Sequence, residues 1–211
     1  MSNLMRELYF ADAFYYKDFE NSSELNKELM NKILQWKHSD PEGVEISNSL
    51  GWQSRSTMQE QKSGFDVITN KINEFLNEVW LSEQYREGTS LEIENMWANV
   101  NYKYAYNKYH DHPNSLWSGV YYVQSPPNCG KILFDKSWSR YQRVQKPIFS
   151  HEIPTYDYQW DSVAYEPIEG RVILFPSWIG HQVEQNLTDI EGENGYRISI
   201  SFNIKQIIKE K

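Results

Sequence analysis

The hydrophobic pattern of the chain changes its period near residue 89, and few kinds of fold accommodate such a change. Before this point apolar residues recur every three or four positions, as at Leu25, Leu29, Ile33 and Trp36. After it, apolar and polar residues alternate one by one. The first spacing predicts amphipathic helices, and the second predicts strands that are buried on one side. We therefore expect helices first and a β-rich remainder after them.

Two local features refine the helical part. Asn21 followed by Glu24 is the pattern of an N-cap with a capping box, so the first helix is expected to begin there. A second helix is expected over residues 63–81, which repeat the helical spacing. Residues 47–54, between the helices, are polar and are expected to be turn-like.

The alternating part predicts a jelly roll. Strand-like runs lie at residues 89–101, 117–123, 131–134, 171–175 and 196–204, with turn signals between them. About eight short strands after a helical layer favour a mainly β, α+β fold, namely a double-stranded β-helix (jelly roll) with the N-terminal helices packed on one sheet. We expect residues 1–211 to form a single domain, with a helical layer at about 1–88 and a jelly-roll core at about 89–205.

The last of these strands separates two kinds of side chain. Its apolar residues are Ile198, Ile200, Phe202 and Ile204, and its polar residues are Arg197, Ser199, Ser201 and Asn203. In an ordinary half-buried strand the polar side faces water. In the alternative, the apolar side packs on the helices and the polar side lines the mouth of a ligand-holding barrel. The histidines upstream favour the second arrangement.

Composition narrows the class of protein. The formal net charge of −8 argues against nucleic-acid binding, which normally needs a basic face. A single cysteine, Cys129, excludes a disulfide framework and fits a reducing compartment. The N-terminal residues lack the pattern of a secretory leader, and no apolar run approaches the ~20 residues that span a bilayer. We therefore expect a cytoplasmic protein with no membrane partner.

Histidines provide the chemical signature. His110 and His112 share one side of an extended chain, while Asp111 points to the other. His181 follows on a later segment, and Arg197 lies sixteen residues beyond it. Histidine is a common ligand of iron and zinc, and a guanidinium binds a carboxylate at two points. The set suggests a mononuclear metal site with open positions for small ligands, one of which carries a carboxylate.

Each piece alone also has an ordinary explanation. A His-Asp-His run in a loop is often unliganded, and a lone histidine in apolar surroundings, such as His181, is often a core residue. His38 and His151 have no partner pattern and are expected to be structural or exposed.

Five segments together resemble the 2-oxoglutarate- and Fe(II)-dependent oxygenases, and most closely a bacterial and phage branch of that family. They are residues 49–54 (SLGWQS), 97–101 (WANVN), 110–123 (HDHPNSLWSGVYYV), 175–181 (FPSWIGH) and 197–203 (RISISFN). The resemblance spans roughly residues 45–205. The C-terminal half is also similar to prolyl 4-hydroxylases.

The resemblance implies an enzyme that uses Fe(II), 2-oxoglutarate and O2, and that forms succinate and CO2 while it hydroxylates a substrate. His110 and His181 match the two iron-binding histidines of the family. Arg197 matches the arginine that pairs with the distal carboxylate of 2-oxoglutarate. Tyr122 matches a tyrosine that hydrogen-bonds the same carboxylate in prolyl hydroxylases. Two hydroxyls on the Arg197 face are expected to add contacts, those of Ser199 and Ser201.

One position departs from the family pattern. The family has an acidic residue two positions after the first histidine, where this chain has His112. Either three histidines hold the iron, or Asp111 swings round to bind in place of His112. Strand parity favours His112, and Pro113 restricts the backbone at His112 to extended conformations.

Other functions fit some of the same residues. A cupin-like three-histidine metal dioxygenase would not use 2-oxoglutarate, and Arg197 would then be an ordinary strand residue. A carbohydrate-binding jelly roll without catalysis would use exposed tryptophans as stacking platforms, namely Trp117, Trp138, Trp160 and Trp178. A zinc hydrolase would need a general base near the histidines, and no obvious one is present.

The similarity to prolyl hydroxylases favours a peptide or protein as the primary substrate, hydroxylated on a prolyl or other peptidyl side chain. A nucleic-acid base and a small metabolite are the alternatives. Residues 138–161, rich in Tyr, Trp and Arg, are expected to cover the site and to contact the substrate.

Overall fold

The structure is a computed structural model that describes residues 12–60, 64–135 and 162–209. Within these ranges it contains two helices and nine strands: β1 (Tyr15–Asp18), α1 (Ser22–Ser39), β2 (Asn48–Gln53), α2 (Asp66–Ser82), β3 (Thr89–His110), β4 (Trp117–Gln124), β5 (Ile132–Asp135), β6 (Ser162–Tyr165), β7 (Arg171–Pro176), β8 (Gly180–Val183) and β9 (Arg197–Ile208). The mainly β fold expected from the sequence, a curled antiparallel sheet with two helices before most of its strands, is confirmed.

The long strand β3 connects the two sides of the curled sheet. The strands follow the order β1-β7-β4-β9-β3-β8-β5-β6, and β2 pairs with β3 outside this path. The first part of β3, from Thr89 to Asn101, pairs with β9, whereas Asn107 and His110 near its end pair with β8. One continuous strand thus carries residues to both sides of the curl.

A bulge in β3 decides which of its residues face the helices. The pairing with β9 shifts between Ile93 and Asn95. Before this shift Leu91 faces the helical layer, and after it Met96 and Ala98 do. Because a bulge adds one residue to a strand, it inverts the parity of the alternation. The regular alternation expected over residues 89–101 is therefore interrupted once.

The main core lies between the two helices and one side of the sheet. Its buried members include Leu29 and Ile33 of α1, Ile68, Ile72 and Phe75 of α2, and Ile198, Ile200, Phe202 and Ile204 of β9. The opposite side of β9, with Arg197, Ser199 and Ser201, lines a pocket. The second arrangement considered for this strand is thereby confirmed. Neither helix of the described ranges is long and apolar enough to cross a membrane.

Two local expectations are wrong. Residues 48–53 are not a turn but strand β2, because their backbone groups pair with β3 although their side chains are polar. Asn21 precedes α1 but forms no side-chain cap, since its φ of 53° is left-handed. An N-cap side chain reaches the helix from an extended backbone, which Asn21 does not have.

Tyr121 joins α1 to the sheet through a buried hydrogen bond. Its hydroxyl donates to Asn26 Oδ1 at 2.6 Å, and burial raises the pKa of Tyr121 to about 12, so it stays protonated. Tyr121→Phe should lower the free energy of unfolding by about 1–3 kcal/mol, because Asn26 would lose this partner in the core. Urea unfolding measures the loss. In the matched control, Tyr16→Phe at a 58% exposed tyrosine, the change should stay within about 0.5 kcal/mol. Equal losses in both variants would contradict a stabilising role for the hydrogen bond between Tyr121 and Asn26.

Candidate metal centre

Strand pairing brings two of the predicted histidines together. His110 on β3 and His181 on β8 are direct partners in the antiparallel register. Their ring centroids are 4.3 Å apart. Directly opposed residues on neighbouring strands are close enough for their side chains to interact, however far apart they are in the sequence.

His112 completes the group although it lies beyond the end of β3. Its ring centroid is 5.0 Å from that of His110 and 5.1 Å from that of His181. The backbone N–H of His112 donates to the carbonyl of Ser177 at 3.0 Å, which holds the residue after the strand has ended. One ring nitrogen from each of the three histidines lies within 4.8 Å of the others. Two nitrogens that bind one ion at about 2 Å lie at most about 4 Å apart, so the rings would move closer together around a single ion.

Asp111 lies apart from this group. Its side chain is exposed, and it is absent from the cluster of potential metal ligands in the part of the chain that the structure describes. The alternation expected from the sequence, with His110 and His112 on one side, therefore agrees with the structure although β3 itself ends at His110.

Backbone carbonyls orient two of the rings. Nδ1 of His110 lies 2.6 Å from the carbonyl oxygen of Lys108, and Nδ1 of His181 lies 3.0 Å from that of Ile179. A neutral imidazole that donates its Nδ1–H to a carbonyl keeps a free lone pair on Nε2. Nε2 is then the atom that can bind a metal.

Burial keeps the three imidazoles neutral. It lowers the pKa of His112 to about 4, with a smaller contribution from His110. It also lowers the pKa of His110, and it lowers the pKa of His181 well below the usual value. Neutral imidazole is the form that binds metal ions, so the group can bind a metal at neutral pH.

Aromatic side chains surround the histidines. The ring of Phe175 is 4.8 Å from that of His181, and the ring of Phe134 is 5.7 Å from it. Trp97 lies on the other side, with its centroid 6.0 Å from that of His112. Such an apolar surround limits the access of water to a metal site.

Arg197 is the one charged residue among the described residues that line the same pocket, and it is only 2% exposed. Its Nη1 donates to three backbone carbonyls, those of Cys129, Gly130 and Glu184. Its Nη2 is buried, and none of the residues that the structure describes gives it a hydrogen-bond partner. Leaving a buried donor of a charged group unpaired is costly. A carboxylate in the pocket would supply both a partner for Nη2 and an opposite charge.

Sequence reasoning did not identify the turn at Cys129 and Gly130 as part of the site. Gly130 has a φ of +88°, and a Cβ at this position would lie 2.9 Å from Arg197 Nη1. The carbonyl oxygens of Glu184 and Gln185 would be even closer, both at 2.6 Å, so glycine is required both by the backbone conformation and by these close approaches. The turn signal just before it was visible in the sequence, but nothing in that signal points to Arg197.

The other predicted residues line the pocket as well. Tyr122 and Ser199 are register partners on β4 and β9, and both are buried. Burial raises the pKa of Tyr122, so its phenol stays protonated and can donate a hydrogen bond. Ser201 also lines the pocket, and its hydroxyl accepts a hydrogen bond from Asn99 Nδ2 at 3.1 Å.

Asn99 is a pocket residue that sequence reasoning missed. Its Oδ1 is buried and has no hydrogen-bond partner in the described part of the chain, although its Nδ2 is bonded to Ser201. Buried polar atoms are rarely left unpaired, so Asn99 and Arg197 together mark a space that suits a polar ligand. The available signal was the alternation after the bulge, which places Asn99 on the same side as Trp97.

The described tryptophans do not form a row of sugar-binding platforms. Trp117 is only 4% exposed and donates to the hydroxyl of Tyr85 at 3.0 Å, so it is a core residue. Trp178 is exposed. Outside the described residues lie Trp138, Trp160, His151 and the segment 138–161 that was expected to cover the site. His38 is exposed, as expected.

Residues 95–203, about half of the chain, match the family model described as "Putative 2OG-Fe(II) oxygenase". The chain belongs to this family. It is accordingly a 2-oxoglutarate-dependent non-haem iron oxygenase, which uses Fe(II), 2-oxoglutarate and O2. No curated protein matches the sequence.

Solved structures share the fold at low sequence identity. A prolyl-4-hydroxylase from Pseudomonas putida has a TM-score of 0.58 at 11% identity, covering 95% of this chain and 94% of that one. The 2-oxoglutarate-dependent carbocyclase SnoK from nogalamycin biosynthesis has a TM-score of 0.63 at 13% identity, covering 92% and 79%. HygX from Streptomyces hygroscopicus, solved with nickel, 2-oxoglutarate and hygromycin B, has a TM-score of 0.59 at 10% identity, covering 92% and 83%.

The residues of this chain fit the cofactor and the co-substrate of the family. Three neutral imidazoles are suitable ligands for Fe(II), which binds nitrogen donors well. Nη2 of Arg197, which has no partner among the described residues, suits a carboxylate of 2-oxoglutarate. The set departs from the two-histidine, one-carboxylate pattern because His112 stands where the family has an acidic residue, so a bound iron would keep more of its positive charge.

We expect His112→Ala to abolish tight Fe(II) binding and Asp111→Ala to spare it. Removing a residue that only hydrogen-bonds a metal ligand lowers metal affinity by ~10–100-fold, and loss of the ligand itself should lower it further. Anaerobic calorimetric titration of each variant with Fe(II) measures the affinity. Retained binding in His112→Ala together with its loss in Asp111→Ala would reverse the assignment.

Proposed function

We propose that His110, His112 and His181 bind the Fe(II) of this oxygenase and that Arg197 binds the distal carboxylate of 2-oxoglutarate. The observation that supports this proposal is the presence, in one pocket, of a compact group of neutral imidazoles and a buried guanidinium nitrogen that has no partner among the described residues. The first can hold the metal, and the second can hold a carboxylate.

Hydroxyl and amide groups complete the co-substrate pocket in this proposal. Tyr122 donates to the same carboxylate as Arg197, and Ser199 adds a second hydroxyl beside it. Asn99 and Ser201 contact the rest of the co-substrate. An asparagine amide can turn over and exchange its oxygen and nitrogen, so Asn99 can present a donor or an acceptor and still bond to Ser201.

The chain contributes position and exclusion of water to the reaction. When bound, the iron supplies the activation of O2 that couples breakdown of 2-oxoglutarate to succinate and CO2 with oxidation of the substrate. The carbonyls of Lys108 and Ile179 fix the orientation of two imidazoles. Arg197 orients the co-substrate by charge and by hydrogen bonds, which reduces the entropic cost of reaction.

For the substrate, we propose that the enzyme hydroxylates a prolyl or other peptidyl side chain. Its support is the likeness to the Pseudomonas putida prolyl-4-hydroxylase over almost the whole length of both chains. The likeness to HygX, whose structure holds hygromycin B, makes a small metabolite the alternative class. A three-histidine dioxygenase that does not use 2-oxoglutarate would leave the free nitrogen of Arg197 without an explanation.

Arg197→Ala should weaken 2-oxoglutarate binding at least tenfold and leave the Fe(II) affinity nearly unchanged. A hydrogen bond to a charged group contributes about 1.5–3 kcal/mol, and 1.4 kcal/mol corresponds to a factor of ten. Calorimetry of the metal-loaded protein measures both affinities. Arg197→Lys, which keeps the charge and loses the two-point fork, should fall between wild type and Arg197→Ala. An equal loss of metal and co-substrate would instead show that the strand had lost its structure.

The iron-loaded protein should release succinate from 2-oxoglutarate in air, slowly without a substrate and faster with one. Succinate is quantified by NMR, and addition of one oxygen atom to the substrate is read by mass spectrometry. The candidate substrates to be tested are proline-containing peptides and small polar metabolites. Stimulation by metabolites alone would remove the peptidyl proposal and keep the oxygenase. Absence of both 2-oxoglutarate binding and succinate release would contradict the co-substrate site.

A further inference from the structure

A chain of side-chain hydrogen bonds, buried except at its half-buried first member, crosses the sheet and ends at the residue that bonds to His112. It consists of Asn95 on β3, Asn203 on β9, Ser118 on β4 and Ser177, which follows β7. Asn203 Nδ2 donates to Asn95 Oδ1 at 2.9 Å, and Ser118 Oγ donates to Asn203 Oδ1 at 2.8 Å. The hydroxyls of Ser118 and Ser177 are 2.9 Å apart.

The direction of the last bond follows from the number of protons. Ser118 has one hydroxyl proton, and Asn203 Oδ1 accepts it. Ser177 must therefore be the donor in the bond between the two serines. Both serines are 1% exposed, so water cannot easily replace a lost partner. In such a network the loss of one hydroxyl leaves its neighbours unpaired.

Ser177 connects this network to the metal centre. Its carbonyl accepts the N–H of His112 at 3.0 Å, and its own N–H donates to the carbonyl of Leu116 at 3.2 Å. Both ends of the turn at residues 112–116 are thus tied to Ser177. β3 ends at His110, so this bond, and not a continued strand, holds the backbone of His112.

His112 depends on such support more than the other two histidines do. Strand pairing fixes His110 and His181 against each other, and a carbonyl orients each of their rings. Within the described residues, no ring hydrogen bond of this kind is present at His112. Its position relative to the other rings is therefore set mainly through its backbone and through packing against Trp97.

We propose that Ser118 and Ser177 are positioning residues of the metal centre, which set the place of the His112 ring by fixing the residue that holds its backbone. This inference rests on the proposed role of His112 as an iron ligand. Neither serine touches the metal or the co-substrate in this account. They affect the geometry of the three histidine ligands, in addition to any contribution that they make to the stability of the fold.

The test uses Co(II) as the probe, because its visible absorption bands report ligand geometry and can be read without enzyme activity. Ser118→Ala in the full chain should bind Co(II) about tenfold more weakly than wild type, with shifted bands.

Ser54→Ala is the matched control. Ser54 is 0% exposed, its hydroxyl donates to Arg55 O and accepts from Ala98 N, and it does not line the pocket. Ser54→Ala should lower the melting temperature about as much as Ser118→Ala does, but it should keep the Co(II) affinity and the absorption spectrum of the wild-type protein.

Ser177→Ala provides a second reading if Ser118→Ala does not fold, because it removes only the terminal hydroxyl and keeps the bond between Ser118 and Asn203. It should shift the Co(II) bands in the same direction. If the serine variants that fold bind Co(II) with the affinity and spectrum of Ser54→Ala, the inference is overturned and the proposed metal site stands. If the wild-type chain binds no Co(II), the metal site and this inference are overturned together.

Discussion

The two-sided pairing of β3 is the constraint on which the site depends. Pairing of its first part with β9 places Asn99 opposite Ser199 and Asn101 opposite Arg197. Pairing of its end with β8 places His110 opposite His181. A single strand thus carries residues of the proposed co-substrate pocket and of the metal centre. A slip of one residue along either partner would turn these side chains to the wrong side of the sheet.

Charge balance explains why this pocket needs a ligand. Among the described residues that line it, Arg197 is a cation and none is a carboxylate. The three histidines are neutral, so an iron bound by them would add positive charge that none of these residues offsets. A 2-oxoglutarate dianion would supply the missing negative charge at both places. Because opposite charges attract, metal and co-substrate should then strengthen each other's binding, and each should do so by the same factor.

Short-range patterns in the sequence predict a large part of this architecture. The helical spacing, the alternation of β9 and the parity of His110 and His112 depend only on neighbouring residues, and all three agree with the structure. Strand β2 was missed because its pairing with β3 depends on backbone groups, which polar side chains do not reveal.

The features that the sequence does not reveal are contacts between distant segments. Gly130 is constrained by the carbonyls of Glu184 and Gln185 and by Arg197, all of which come from distant segments. The bonds from Asn95 through Asn203 and Ser118 to Ser177 require four segments to be in register. The unpaired Oδ1 of Asn99 is visible only once the pocket has closed around it. None of these features has a local signature.

A crystal structure of the full chain grown anaerobically with Fe(II) and 2-oxoglutarate tests the central claim most directly. We predict electron density for one iron bound to Nε2 of His110, His112 and His181, with Asp111 pointing away from it. One carboxylate of 2-oxoglutarate should accept a hydrogen bond from Nη2 of Arg197. An Asp111 oxygen on the iron with His112 turned away, or a co-substrate carboxylate that does not reach Arg197, would contradict this account.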